Sequence, residues 1–260
     1  MQTLIQMILP SLVLPFLLSA ILWQLARSNQ SILWALPLIW LPSYLWLLGW
    51  PSWFPVEANQ WLWWLVVASI GINFISQSRM VLVTTMQSLL LAIVLIAATW
   101  PVLKYQFDMK VVIELLVVIV VGVLTFRYSS KGQATAPALT MVISCGGMGL
   151  VVALGGSLLI GQLAGALASV LSVFAISELV QKLKPSISPL HLLPIMQLYL
   201  VILVIARIFA ETPLGPSALL LVAPLLGLIT ATRYAFVLSA ASVSAAMSWL
   251  LLTTDSSSYY

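Results

Sequence analysis

The chain has 260 residues, of which 62% are hydrophobic and only 6% are charged. A soluble domain carries roughly 25% charged residues, so the composition excludes a water-soluble globular protein. Ten basic residues outnumber six acidic ones, but they are scattered singly along the chain and form no patch for nucleic acid, which we do not expect as a partner. Apolar runs of about twenty residues without alternation favour membrane-spanning helices over barrel strands.

Apolar segments bounded by charges, prolines or polar clusters predict ten transmembrane helices of the length that crosses a bilayer. They cover about residues 4–26, 31–50, 61–77, 80–100, 110–127, 136–154, 158–180, 190–209, 215–231 and 234–253. Because the connections are short, we predict an all-α polytopic helix bundle with antiparallel neighbours and a single membrane domain over 1–260. The count also allows two inverted halves of five helices, about 1–130 and 131–260, although the halves do not align residue by residue.

Basic residues set the predicted orientation, with both termini on the outer side of a membrane that we take to be the bacterial inner membrane. This topology places seven basic residues inside, namely Arg27, Arg79, Arg127, Lys131, Lys182, Lys184 and Arg233. It places three outside, namely Lys104, Lys110 and Arg207. Most tryptophans then fall near the outer boundary, as expected for an interfacial aromatic belt.

Small residues recur at every fourth position between residues 141 and 180. The ridge consists of Cys145, Gly149, Ala153, Ser157, Gly161, Gly165 and Ser169. On helices, such a ridge allows close backbone packing, and we predict that Gly149, Ser157, Gly161, Gly165 and Ser169 are helix-packing residues. One helix of this length would be too long, so the chain must turn at Gly155-Gly156-Ser157. The turn is either a plain hairpin or a re-entrant break; the long flanking runs favour the hairpin, which we expect to be the packing centre of the second half.

Few polar side chains fall inside the predicted helices. The candidates for lining a solute cavity are Glu114, Gln87, Gln162, Gln197 and Arg207. Alternatively, the glutamines only hydrogen-bond neighbouring helices. The charged residues could instead form pairs at helix ends, with four-residue spacing: Lys110 with Glu114, Arg207 with Glu211, and Glu178 with Lys182.

No catalytic or nucleotide-binding motif is present, so we expect no catalytic residues, no cofactor and no metal site. Three functions remain open. The first is a transporter or channel-like permease for a small solute, neutral or weakly charged. The second is a structural or assembly subunit that binds other membrane subunits or a second copy of itself. The third, an enzyme acting on a lipid-linked substrate, is disfavoured because no cluster of acid, base or metal ligands is visible.

Overall fold

The computed structural model describes residues 8–76, 80–105, 108–129, 135–182, 186–229 and 235–257. Within these ranges the chain is helical and contains no β-strand, as the sequence predicts. The predicted inner basic residues Arg79, Lys131, Lys184 and Arg233 lie outside the described residues.

The described residues form ten α-helices, and each corresponds to one predicted apolar segment. They are α1 (Leu14–Ala26), α2 (Leu41–Leu48), α3 (Gln60–Ser76), α4 (Met80–Tyr105), α5 (Met109–Ser129), α6 (Pro137–Leu154), α7 (Leu158–Val180), α8 (Leu193–Phe209), α9 (Leu214–Ile229) and α10 (Ala235–Ser257). A π-helical turn over Leu9–Val13 precedes α1, and 3₁₀ segments over Gln30–Trp40 and Pro189–Leu192 precede α2 and α8.

Two segments differ from their predicted form, and both contain a proline. Helix α4 continues through Pro101 to Tyr105, beyond its predicted end, because one proline removes only one backbone hydrogen bond. The segment before α2 is a 3₁₀ helix of 11 residues with Pro37 inside it. Since 3₁₀ helix rises ~2.0 Å per residue, Gln30–Leu48 reaches roughly 34 Å with only 19 residues, enough to cross a bilayer core.

Among the residues that the structure describes, eight helical segments are long and apolar enough to cross a membrane, as expected of an integral membrane protein. The other two, within α3 and α9, are apolar but shorter, at 17 and 16 residues.

Several described connections and helix ends meet at one end of the bundle. Glu57, Pro101, Ser157 and Phe209 line one shallow cavity, so four separate connections or helix ends meet there. We call this the Gly156 end, after the glycine in the α6–α7 turn. At the opposite end, the ring of His191 packs on that of Trp34 with centroids 4.3 Å apart.

The helix at the centre of the bundle is α8 rather than the α6–α7 hairpin. In an 18-residue stretch of Pro189–Phe209, 83% of the residues are buried, against 61% in α6 and 56% in an 18-residue stretch of α7. Helix α8 packs against α3, α4, α5, α6, α7 and α9. The glycine ridge is predicted as the packing centre of the second half, and that prediction concerns a smaller unit; across the whole described bundle, α8 is the most buried helix and also contacts helices of the first half.

Helices α6 and α7 nevertheless form the most extensive helix–helix contact in the described residues. A Cβ added to Gly149 would lie 3.0 Å from the carbonyl oxygen of Gly161, and one added to Gly161 would lie 2.7 Å from the oxygen of Gly149. The backbones touch at these two positions. Ser169 instead donates to the carbonyl of Leu12 at 2.5 Å, joining α7 to the N-terminal π-helical turn.

The turn between these helices is a plain hairpin. Gly156 has φ +115°, a conformation that glycine adopts without steric cost. The amides of Gly155 and Ser157 donate to the carbonyls of Val151 and Val152 at 2.9 and 3.1 Å, which closes the end of α6.

Candidate functional site

A cavity of about 380 Å³ lies between α5, α8 and the start of α9. Its volume falls in the range of small-molecule sites. The lining residues are Lys110, Ile113, Glu114, Leu115, Val117, Val118, Leu203, Val204, Arg207, Ile208, Leu214, Ser217, Ala218 and Leu221. We call it the α5–α8–α9 cavity. Two of the five residues predicted to line a solute cavity, Glu114 and Arg207, are in it.

Glu114 and Arg207 form an ion pair that joins α5 to α8. The Nη2 atom of Arg207 donates to Oε1 of Glu114 at 3.0 Å, and the two side chains are 31% and 26% exposed, respectively. The Nη1 atom donates to the carbonyl of Thr212 at 3.1 Å, which fixes the guanidinium against the α8–α9 connection. The pair is thus held between helices that are far apart in the sequence.

The predicted pairs with four-residue spacing are absent. Arg207 binds Glu114 instead of Glu211, and this leaves Lys110 without a carboxylate within ion-pair distance among the described residues. Lys110 lies one turn before Glu114 on α5, and its exposed side chain lines the same cavity.

Glu178 also differs from its predicted pairing with Lys182. It is fully buried, and its two carboxylate oxygens accept from the amides of Ala138 and Leu139 at 3.2 and 2.9 Å. These are the free N–H groups at the start of α6, whose own N-cap residue, Ala136, has no side-chain acceptor. The carboxylate therefore caps a neighbouring helix.

Gln87 and Gln197 meet in a second polar group, together with Ser69 and Asn73 of α3. All four side chains are fully buried. The amide of Gln87 donates to Oδ1 of Asn73 at 2.8 Å and to the carbonyl of Ser69 at 3.1 Å. The amide of Gln197 donates to the carbonyl of Gln87 at 2.5 Å. We call these four residues the amide cluster; it joins α3, α4 and α8.

The amide cluster is nearly, but not fully, satisfied. The Ser69 hydroxyl contacts Oε1 of both Gln87 and Gln197 but has only one hydrogen to donate. The Nδ2 atom of Asn73 is buried without a partner. Neither glutamine lines the α5–α8–α9 cavity, and Gln162 lies half-buried on α7 outside the cluster, so the three glutamines do not share one cavity.

Ser69 and Asn73 are the two members of the cluster that are not among the predicted cavity residues. Ser69 and Asn73 are four residues apart on α3 and therefore lie on one helix face. Two polar residues on one face of an apolar helix indicate that this face packs against polar groups of other helices.

No protein-family model, curated protein or solved structure matches this chain. Function is therefore inferred from the two polar sites. The side chains of the amide cluster are buried and bind one another. The α5–α8–α9 cavity instead has charged side chains in its lining and space for a ligand.

Proposed function

We propose that the protein is a transporter or channel-like permease for a small solute, neutral or weakly charged, that binds in the α5–α8–α9 cavity. In this proposal all ten helices lie in the bacterial inner membrane with both termini outside. The Gly156 end, where the cavity lies, then faces the outer side.

The cavity with its ion pair is the observation that carries the proposal. Ionisable groups within membrane helices are costly and usually mark a ligand or ion path. Glu114 and Arg207 neutralise one another, yet both side chains remain about a quarter to a third exposed. A solute entering the cavity would meet a fixed dipole at one end and apolar walls elsewhere, a typical composition for a small-molecule site.

Flux into liposomes tests the proposal. Purified full-length protein is reconstituted and challenged with a panel of neutral and singly charged solutes. We expect uptake above protein-free liposomes for at least one solute, and a fall of tenfold or more in Glu114→Gln. Lys104→Gln, at the same end but outside the cavity lining, is the control and is expected to keep the wild-type rate.

A second candidate function, a structural subunit of a larger membrane complex, is favoured by the amide cluster. Its four polar side chains bind one another in a buried region and so stabilise helix packing rather than a solute. Absence of flux for every solute, together with co-purification of other membrane subunits in fixed stoichiometry, would support this function over the permease.

A further inference from the structure

We propose that the ligand of the α5–α8–α9 cavity is a single-chain anionic amphiphile, chemically like a fatty acid, that enters from the bilayer. This inference rests on the permease function proposed above and names its substrate class. It is carried by the charge of the cavity, the distribution of its polar groups, and the side on which it is open.

The lining has a net positive charge. Lys110 and Arg207 contribute two positive charges and Glu114 one negative charge, which leaves +1. The ammonium group of Lys110 has no carboxylate partner among the described residues, and Nε of Arg207 donates no hydrogen bond. A carboxylate head group would supply the missing negative charge and accept charge-assisted hydrogen bonds.

The remaining wall suits a hydrocarbon chain. Ten of the fourteen lining residues are apolar, and the hydroxyl of the one serine, Ser217, donates to the carbonyl of Pro213 at 3.0 Å. On α5 the lining runs from Lys110 to Val118, which is ~12 Å along the helix axis. All three charged groups lie toward the Gly156 end, so the cavity itself is amphipathic in the direction that a fatty acid takes in a bilayer.

The cavity opens sideways, between helices, on the lateral surface of the bundle. Its lining residues Ile113, Val117 and Leu214 are 55%, 47% and 57% exposed, respectively. In a membrane this side faces acyl chains, so a chain can slide in laterally while its head group stays at the level of the charged residues.

Binding of dodecanoate to the full-length protein in phosphatidylcholine nanodiscs tests the inference, with dodecanol and dodecyltrimethylammonium as neutral and cationic probes. We expect dodecanoate to bind in preference to both. Lys110→Gln is expected to weaken dodecanoate binding about fivefold, the upper range for one exposed charge. Glu114→Gln is expected to strengthen it, because the cavity then carries +2. Lys104→Gln is the control and should leave affinity unchanged.

The opposite signs distinguish a ligand site from a purely structural ion pair. Equal binding of the three probes, or weaker dodecanoate binding in Glu114→Gln, would overturn the inference. Binding with the expected pattern but no flux of any solute supports the anion site and refutes the permease. Flux of another solute without dodecanoate binding refutes the anionic amphiphile and leaves the permease standing.

Discussion

Gly161 and Gly165 lie one turn apart on α7 but have different surroundings. A Cβ on Gly161 would meet the backbone of α6, with the Gly149 oxygen at 2.7 Å and Ala153 Cβ at 2.8 Å. A Cβ on Gly165 would meet nothing within 4 Å. Both are predicted to be helix-packing residues, but of these two glycines only Gly161 lacks room for a methyl group.

Gly161→Ala is therefore expected to destabilise the protein by about 1–2 kcal/mol, because overpacking costs more than the alanine gains in helix propensity. Gly165→Ala is the control and is expected to be neutral or stabilising by up to ~1 kcal/mol. The free energy of unfolding in mixed SDS micelles measures both. Equal losses in the two variants would contradict the geometry.

At the scale of one helix, the N-terminus of α6 is capped by a side chain of another helix. Pro137 is the first residue of the helix, and the carboxylate of Glu178 on α7 accepts hydrogen bonds from the amides of Ala138 and Leu139. A carboxylate at this position also interacts favourably with the positive end of the helix dipole.

Glu178→Ala is expected to cost about 2 kcal/mol of unfolding free energy, since two buried N–H groups lose their acceptors. Glu178→Gln keeps one acceptor oxygen and should lose less. Gln181→Ala, on the exposed side of the same helix end, is expected to stay within ~0.5 kcal/mol of wild type. A Glu178→Ala variant that unfolds like wild type would show that water replaces the cap.

The apolar runs were sufficient to locate all ten α-helices of the described residues, although two of the helical segments are shorter than a membrane span. The partners of Glu178 and Arg207 were not predictable in the same way. Spacing along one helix identifies the neighbours of a residue on that same helix. Glu178 and Arg207 instead bind groups on other helices. The sequence does not give the rotation of those helices or their distance from one another.

At the scale of the whole molecule, the amide cluster ties together three helices. Gln87→Met and Gln197→Met are each expected to cost about 1 kcal/mol, because each leaves its partner unsatisfied in a dry region. The double variant should lose less than the sum, by roughly 0.6 kcal/mol. Gln162→Met is the control, outside the cluster. Strict additivity in unfolding measurements would show that the two glutamines are energetically independent.

The predicted topology is testable with a membrane-impermeant maleimide. Native Cys145 is fully buried and provides an unreactive background. In intact cells we expect Glu57→Cys to be labelled, since Glu57 lies at the Gly156 end. Arg27→Cys should react only after permeabilisation; labelling with the opposite pattern would invert the proposed orientation.

The central position of α8 could not be predicted from the sequence. In water, an apolar circumference identifies a buried helix, but lipid accepts the same side chains as a protein interior. Gln197 indicates a buried face of α8 only when it is considered together with Ser69 and Asn73 of α3.

The position of α8 also fixes an order of events during synthesis. Ser69, Asn73 and Gln87 are each made more than a hundred residues before Gln197, which completes the amide cluster. Until α8 is made, Gln87, Asn73 and Ser69 lack this partner, whereas α6 and α7 precede α8 in the chain and already have each other to pack against. The amide cluster is therefore expected to form late, when α8 packs against α3 and α4.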